Sequence, residues 1–178
     1  GANVTINYLR NRDAANGVVK AIKDRGGKAL AVQADIAEPG AAAQAMEQAV
    51  KSFGPVWGLV VSAGVFEPGW LGDMSAEFGD RVTAVNVRAT FLATQAAVTH
   101  MRHAGQGGSI IYYTSTAGQR GSAEYSAYAT SKGAQIMFMR SMARELGKDQ
   151  IRVNCIAPAW TETDMASPSL DALGRDNV

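Results

Sequence analysis

The stretch A-L-A-V-Q-A-D-I-A-E-P-G-A-A-A-Q-A-M-E-Q-A-V-K-S-F-G-P-V-W-G-L-V-V-S, residues 29–62, decides the fold. Ala29 to Ala34 reads as a strand closed by Asp35. Gly40 to Phe53 is Ala-rich with helical spacing and stops at Gly54-Pro55. Trp57 to Ser62 is almost wholly apolar, the pattern of a strand covered by helices on both faces. Upstream, N-V-T-I-N-Y within Gly1–Tyr8 is strand-like, and residues 12–25 place Ala15, Val18, Val19 and Ile22 at helical spacing before a Gly26-Gly27 stop. Strand, helix, strand, helix, strand with short links is a parallel α/β sheet.

The alternation continues downstream. A long helix is expected from about Ala76 to Arg102, with a break near its start. Gly105-Gln-Gly-Gly is a turn; no helix follows its glycines, so it is not a phosphate loop. Ser109–Thr114 is a strand, Tyr125–Gly147 a helix and Arg152–Ala157 a last strand. After Met165 the text S-P-S-L-D-A-L-G-R-D-N-V is polar and poorly periodic, and a mobile surface segment is expected. The 178 residues read as one domain, with no internal repeat or linker.

An apolar fraction of 47% with 19% charged residues is a globular profile. A net charge of +1 gives no argument for a nucleic-acid surface. The single cysteine, Cys155, has no internal partner and sits in an apolar run, which suits a reducing, cytoplasmic setting and a buried, inert thiol. No apolar run approaches a membrane span and no signal-peptide pattern opens the chain. His100 and His103 stand i, i+3 without acids or cysteines beside them, so a metal site is not expected.

The chemistry concentrates in S-T-A-G-Q-R-G-S-A-E-Y-S-A-Y-A-T-S-K, residues 115–132. Ser115 ends a strand, Tyr128 follows thirteen residues later, and Lys132 stands i+4 from Tyr128, one helical turn along the same face. A phenol with a pKa of about 10 is a poor acid near neutrality, and a nearby cation lowers that value. So tuned, Tyr128 is a general acid toward a carbonyl oxygen or a base toward an alcohol, with Ser115 holding the same oxygen. Tyr125 competes as the phenol but has Ala129 at i+4. Thr114 and Thr116 compete with Ser115 as the hydroxyl.

The chain resembles the short-chain dehydrogenase/reductase family from Gly1 to about Met165. The matching segments are G-A-N-V-T-I-N-Y, Ala34-Asp35-Ile36, Ser62-Ala63-Gly64, Val85-Asn86-Val87, G-S-I-I-Y-Y-T-S-T-A-G, Y-A-T-S-K and I-R-V-N-C-I-A-P-A-W-T-E-T-D-M. They occur in the family's order and spacing. The opening segment is similar to members described as 3-oxoacyl-carrier-protein reductases. The resemblance implies a doubly wound parallel sheet of Rossmann type, three layers αβα, and hydride exchange between a nicotinamide cofactor and a carbonyl or secondary alcohol.

By the same resemblance Asn86, Ser115, Tyr128 and Lys132 form the catalytic set. Asp35 and Ile36, Ser62-Ala63-Gly64, Pro158 and Thr163 contact the cofactor, as do Tyr128 and Lys132. Three departures stand out. Ser62 replaces the family's Asn, and Ala159 its Gly after Pro158. Tyr8 stands where NAD-preferring members carry an acid, and Arg10 and Arg12 follow. Arginines pair with a 2′-phosphate that an acid would repel, so NADP(H) is expected over NAD(H), with Arg10 as its contact. Asp35 has an equal claim as a cap of the helix that follows it, and Trp70, Tyr113 and Trp160 are weaker candidates for pocket walls.

Family members carry a further strand and a Gly-rich turn before the position of Gly1 and more chain after that of Thr163, where much of the substrate region lies. This reads as a partial domain, residues 1–178, lacking the first strand and Gly-rich turn, with two central strand edges unpaired. The substrate is a small carbonyl or alcohol, and a homodimer or homotetramer through the two long helices is implied. Apolar runs Phe91-Leu92 and Ile136-Met137-Phe138-Met139 on those helices agree with it. Two other readings stay open: a truncated module without cofactor or activity, and nucleotide-sugar epimerase or dehydratase chemistry, which also uses Y-x-x-x-K.

Overall fold

The computed structural model describes residues 1–174; Arg175-Asp-Asn-Val178, part of the expected surface segment, lies outside the described residues. Among the described residues the five strands are β1 (Val4–Tyr8), β2 (Ala29–Gln33), β3 (Gly58–Val61), β4 (Gly108–Tyr113) and β5 (Ile151–Ile156). The helices are α1 (Arg12–Asp24), α2 (Ala41–Phe53), α3 (Ala76–Thr83), α4 (Ala89–Ala104), α5 (Ala117–Arg120), α6 (Ser126–Leu146) and α7 (Ser167–Leu173). Side chains start two of them: Ala14 N donates to Asn11 Oδ1 at 2.9 Å, and Phe78 N to Ser75 Oγ at 3.2 Å.

All strand pairs are parallel, in two sheets: β1 with β2, and β3–β4–β5. β1 and β3 do not pair with each other, so each is an edge, as the sequence reading expected. The main core lies between the three-stranded sheet and helices α4 and α6. Val61, Ala97, Met101, Ile110, Tyr112, Leu146, Ile151 and Val153 are its buried members. Tyr112 keeps its hydroxyl there by bonding Thr94 Oγ1 at 2.9 Å.

Three expectations are corrected. β3 is not covered on both faces: Leu59 and Val61 pack into the core, while Val60 on the opposite face is 59% exposed. The tail after Met165 is not all loose surface. Ser167–Leu173 is helical, with Pro168 in its first turn and Leu170 buried to 5% exposure. A seven-residue helix, about two turns, with a single buried apolar anchor is too short for periodicity to reveal. The irregularity of the long helix lies at its middle rather than its start. Residues Ala84–Arg88 form a π-turn between α3 and α4, marked by the Ala89 N–H bonding back to Ala84 O.

Of the apolar runs on the long helices, Phe138 stacks on Tyr112 and Met139 packs against the core, whereas Phe91 and Met137 stay about half exposed.

Candidate active site

Strand β4 ends at Tyr113 and delivers Ser115 to the C-terminal edge of its sheet, where open α/β folds bind ligands. The chain then makes the single turn of α5 before reaching α6. Gly118 allows that turn to sit directly on α6: a Cβ there would stand 2.7 Å from Gly133 N. Contact between two backbones fixes Ser115 relative to the helix that carries Tyr128 and Lys132.

Ser115, Tyr128 and Lys132 line one cavity of about 530 Å³, together with Ser62, Gly64, Pro158 and Thr163. Phe66, Tyr113 and Trp160 form much of its apolar wall; the Phe66 ring meets Tyr128 edge-on at 4.8 Å and Trp160 at 5.7 Å. Lys132 is 5% exposed and donates from Nζ to Tyr113 O at 2.7 Å. Ser115 Oγ accepts from Ala117 N at 3.1 Å, which holds the hydroxyl in place.

Two of the three competing groups have their hydroxyls engaged elsewhere. Thr114 Oγ1 donates to Ile156 O at 3.0 Å, and the Tyr125 hydroxyl bonds Ser169 Oγ at 2.9 Å while its ring stacks on Phe66. Thr116 lines the cavity too.

The electrostatics differ from the sequence expectation. Burial pushes the Tyr128 phenol above its ordinary value, and the neighbouring Ser115 hydroxyl only partly offsets this. Burial lowers the Lys132 ammonium from 10.5 to about 8. Lys132 Nζ lies 5.7 Å from the centre of the Tyr128 ring and spends its short hydrogen bond on Tyr113 O, so burial outweighs its pull on the phenol. Because the folded state holds the Lys132 proton less tightly than the unfolded chain, the charge costs stability below pH 8, and stability rises as pH climbs from about 8 toward 10.5. Urea unfolding at pH 7 and pH 9.5 is expected to show a gain of a few kcal/mol in this window. Lys132→Met should flatten that slope; an unchanged slope would mean that other groups cause it.

Asn86 lies in the π-turn and is fully buried. Its Nδ2 donates to Val65 O at 3.0 Å and Ser131 Oγ at 2.9 Å, and its Oδ1 accepts from Val65 N at 2.8 Å. Ser131 Oγ in turn donates to Tyr128 O at 2.7 Å. Asn86 therefore ties the loop after β3 to the helix of Tyr128. Sequence reasoning missed Ser131, whose signal was a polar residue at i+3 from Tyr128 on the same face.

Gly64 is matched to this arrangement: a Cβ there would sit 3.2 Å from Asn86 Oδ1 and 3.5 Å from Lys132 Nζ. With Asn86 tied by three bonds, it has little room to give. Gly64→Ala is expected to cost about 1–3 kcal/mol by overpacking. Thermal melts would check it, and an unchanged midpoint would show the loop to be loose.

The remaining sequence candidates are dispersed. Asp35 does not cap the following helix, whose N-cap is Gly40; its Oδ1 accepts from Ala37 N at 3.0 Å in the turn before it, and Ile36 packs against the core. Neither they nor Ala63 nor Arg10 is among the residues lining the cavity. Arg12 bonds the Tyr8 hydroxyl at 3.2 Å and Gln33 Oε1 at 3.4 Å, bridging the ends of β1 and β2. Cys155 is a half-buried free thiol beside the core. Among the described residues, no three His, Cys, Asp or Glu gather as a metal site needs, and no helix is long and apolar enough to cross a membrane.

A family model for short chain dehydrogenases matches residues 1–173. The chain belongs to the short-chain dehydrogenase/reductase family. Versicolorin reductase 1 of Aspergillus parasiticus is 41% identical over 93% of the chain, and a probable tetrahydroxynaphthalene reductase of Zymoseptoria tritici is 40% identical over the same share. The chain spans 62% and 61% of those two proteins. A crystal structure of a short chain dehydrogenase from Burkholderia cenocepacia in complex with NADP superposes with a TM-score of 0.91 at 38% identity, over 99% of this chain and 72% of that one. The Rossmann-type parallel α/β architecture is shared with it.

The cavity suits a small-molecule ligand such as part of this cofactor. Its volume falls in the range of small-molecule sites, its walls are largely apolar, and its charged lining residues, Arg120 and Lys132, are both basic.

Proposed function

We propose that the protein acts in an NADP(H)-dependent oxidoreductase that interconverts a carbonyl compound and its alcohol. The observation that carries this reading is the meeting of Ser115, Tyr128 and Lys132 on one apolar-walled cavity. When bound there, the cofactor supplies or accepts the hydride. Tyr128 gives its hydroxyl proton to the carbonyl oxygen, and Ser115 donates a hydrogen bond to that oxygen where charge develops. Lys132 contributes a nearby positive charge and a contact to the cofactor ribose. Gly64, Ser62, Pro158 and Thr163 hold the nicotinamide end, with Asp35, Ile36, Ala63 and Arg10 toward the adenosine end. Asn86 keeps the floor of the site in register with α6.

An aromatic carbonyl compound is the substrate class we favour, because tetrahydroxynaphthalene stands in the name of one relative and three aromatic side chains wall the cavity. Residues 1–178 form one partial dinucleotide-binding domain in this reading. It works in the cytoplasm as a homodimer or homotetramer, with the half-exposed Phe91 and Met137 at the helix interface.

Fluorescence titration with NADPH and NADH tests the cofactor assignment. NADPH is expected to bind about tenfold more tightly, through the arginine's pairing with the 2′-phosphate, and Arg10→Ala should narrow that ratio. Equal affinities would overturn the NADP(H) preference. The absence of Asp35, Ile36, Ala63 and Arg10 from the cavity lining supports one second reading, a module that keeps the fold's helices without binding dinucleotide. Absence of binding at millimolar cofactor would make that reading the leading one.

A further inference from the structure

Helix α6 presents Tyr128, Ser131, Lys132 and Gln135 at i, i+3, i+4 and i+7, one continuous face. Gln135 is a turn beyond the cavity and 1% exposed. Its Nε2 donates to Asn86 O at 2.8 Å and to Thr90 Oγ1 at 2.7 Å. Thr90 Oγ1 passes its own hydrogen to Asn86 O at 2.8 Å. Two side chains thus converge on the carbonyl of one residue, and that residue sits in the π-turn.

Gln135 Oε1, by contrast, is buried and has no hydrogen-bond partner. A stranded amide oxygen is unfavourable, and a leucine or methionine of similar volume would avoid it. What glutamine supplies that they do not is the pair of amide hydrogens. Their acceptors determine where those hydrogens act: at the widened turn, and not in the core around it.

We propose that Gln135 is a positioning residue of this site, holding the π-turn in the shape that aims the Asn86 side chain at Val65 and Ser131. The function assigned to the turn rests on reading the cavity as the reductase site; the mechanical claim does not. Through Asn86 the effect reaches the cavity lining on two sides. Val65 is tied by both its N–H and its C=O, and Tyr128 O is held by Ser131. Gly64, lacking a Cβ, leaves the space that Asn86 Oδ1 and Lys132 Nζ occupy: a Cβ there would stand 3.2 Å from the first and 3.5 Å from the second.

The amide of Val65, which donates to Asn86 Oδ1, is the reporter. Hydrogen exchange followed by NMR compares it with the amides of β4 in the core, and no turnover is needed. Failure here and failure of the reductase reading are therefore separate results. Gln135→Leu should accelerate Val65 exchange about tenfold relative to β4. In Gln135→Glu the protonated carboxyl still has one hydrogen to donate and the ionised form has none. Burial raises the pKa of such a carboxyl. The Val65-to-β4 ratio should therefore stay near its parental value at about pH 5.5 and stand about tenfold above the parent's at about pH 8.5, the parent at both pH values accounting for Lys132, which titrates at about 8. A ratio unchanged in both variants would overturn the proposal. So would a loss of protection that strikes β4 and Val65 equally, which would mark Gln135 as a residue of the general fold.

Discussion

Tyr128→Phe is expected to slow carbonyl reduction about 10²–10⁴-fold, the usual contribution of a positioned general acid. The substitution removes one oxygen and keeps the ring, so the edge-on contact with Phe66 survives and the fold should be retained. The direction of the phenol's pKa adds a second, independent signature. Burial holds it above its ordinary value, so Tyr128 stays protonated through the neutral range and is ready to donate. Reduction should be nearly flat between about pH 6 and pH 7, below the Lys132 titration at about pH 8, whereas alcohol oxidation, which needs the phenolate, should climb with pH. Initial rates in both directions across this range decide the matter. Oxidation that is already maximal near neutrality would show that a bound partner brings Lys132 or another cation to the phenol. Tyr128→Phe with full activity would remove the general acid from the account.

The second large effect is expected at Asn86. Asn86→Ala removes three side-chain hydrogen bonds and leaves the Val65 N–H and C=O and Ser131 Oγ to find other partners in a largely dry region. Stranding a buried polar group costs about 1–3 kcal/mol, so a loss of about 3–5 kcal/mol in unfolding free energy is expected. Denaturant melts measure it, and the Asn86→Ala, Ser131→Ala double variant should lose clearly less than the two single losses combined, because the pair shares a bond. A loss below about 1 kcal/mol would mean that water enters and takes over the three bonds.

Much of this molecule can be read from its text because strand and helix periodicities alternate cleanly from Val4 to Ile156 and the Gly stops are well placed. Tyr128 and Lys132 share a face through simple helical spacing, and Ser115 is found from its place at the end of a strand. What could not be read depended on packing between distant segments. Val60 is apolar for an edge strand as it would be for a covered one, and composition does not separate the two cases. The π-turn has neither Gly nor Pro to mark it; it exists where Asn86, Thr90 and Gln135 share one carbonyl across 49 residues of sequence. The raised phenol and lowered ammonium depend on how deeply the two side chains are buried and on Tyr113 O capturing Lys132 Nζ, neither of which the i, i+4 spacing contains.

Isotope transfer tests the central claim most directly. NADPH carrying deuterium at C4 of the nicotinamide would be incubated with the protein and an aromatic ketone such as 2-acetylnaphthalene, and the product analysed by mass spectrometry. One deuterium on the carbinol carbon of the alcohol, formed by the parent protein and lost in Tyr128→Phe, is the expected result. Binding of NADPH with no labelled alcohol formed, or labelled alcohol formed equally well without the Tyr128 hydroxyl, would contradict it.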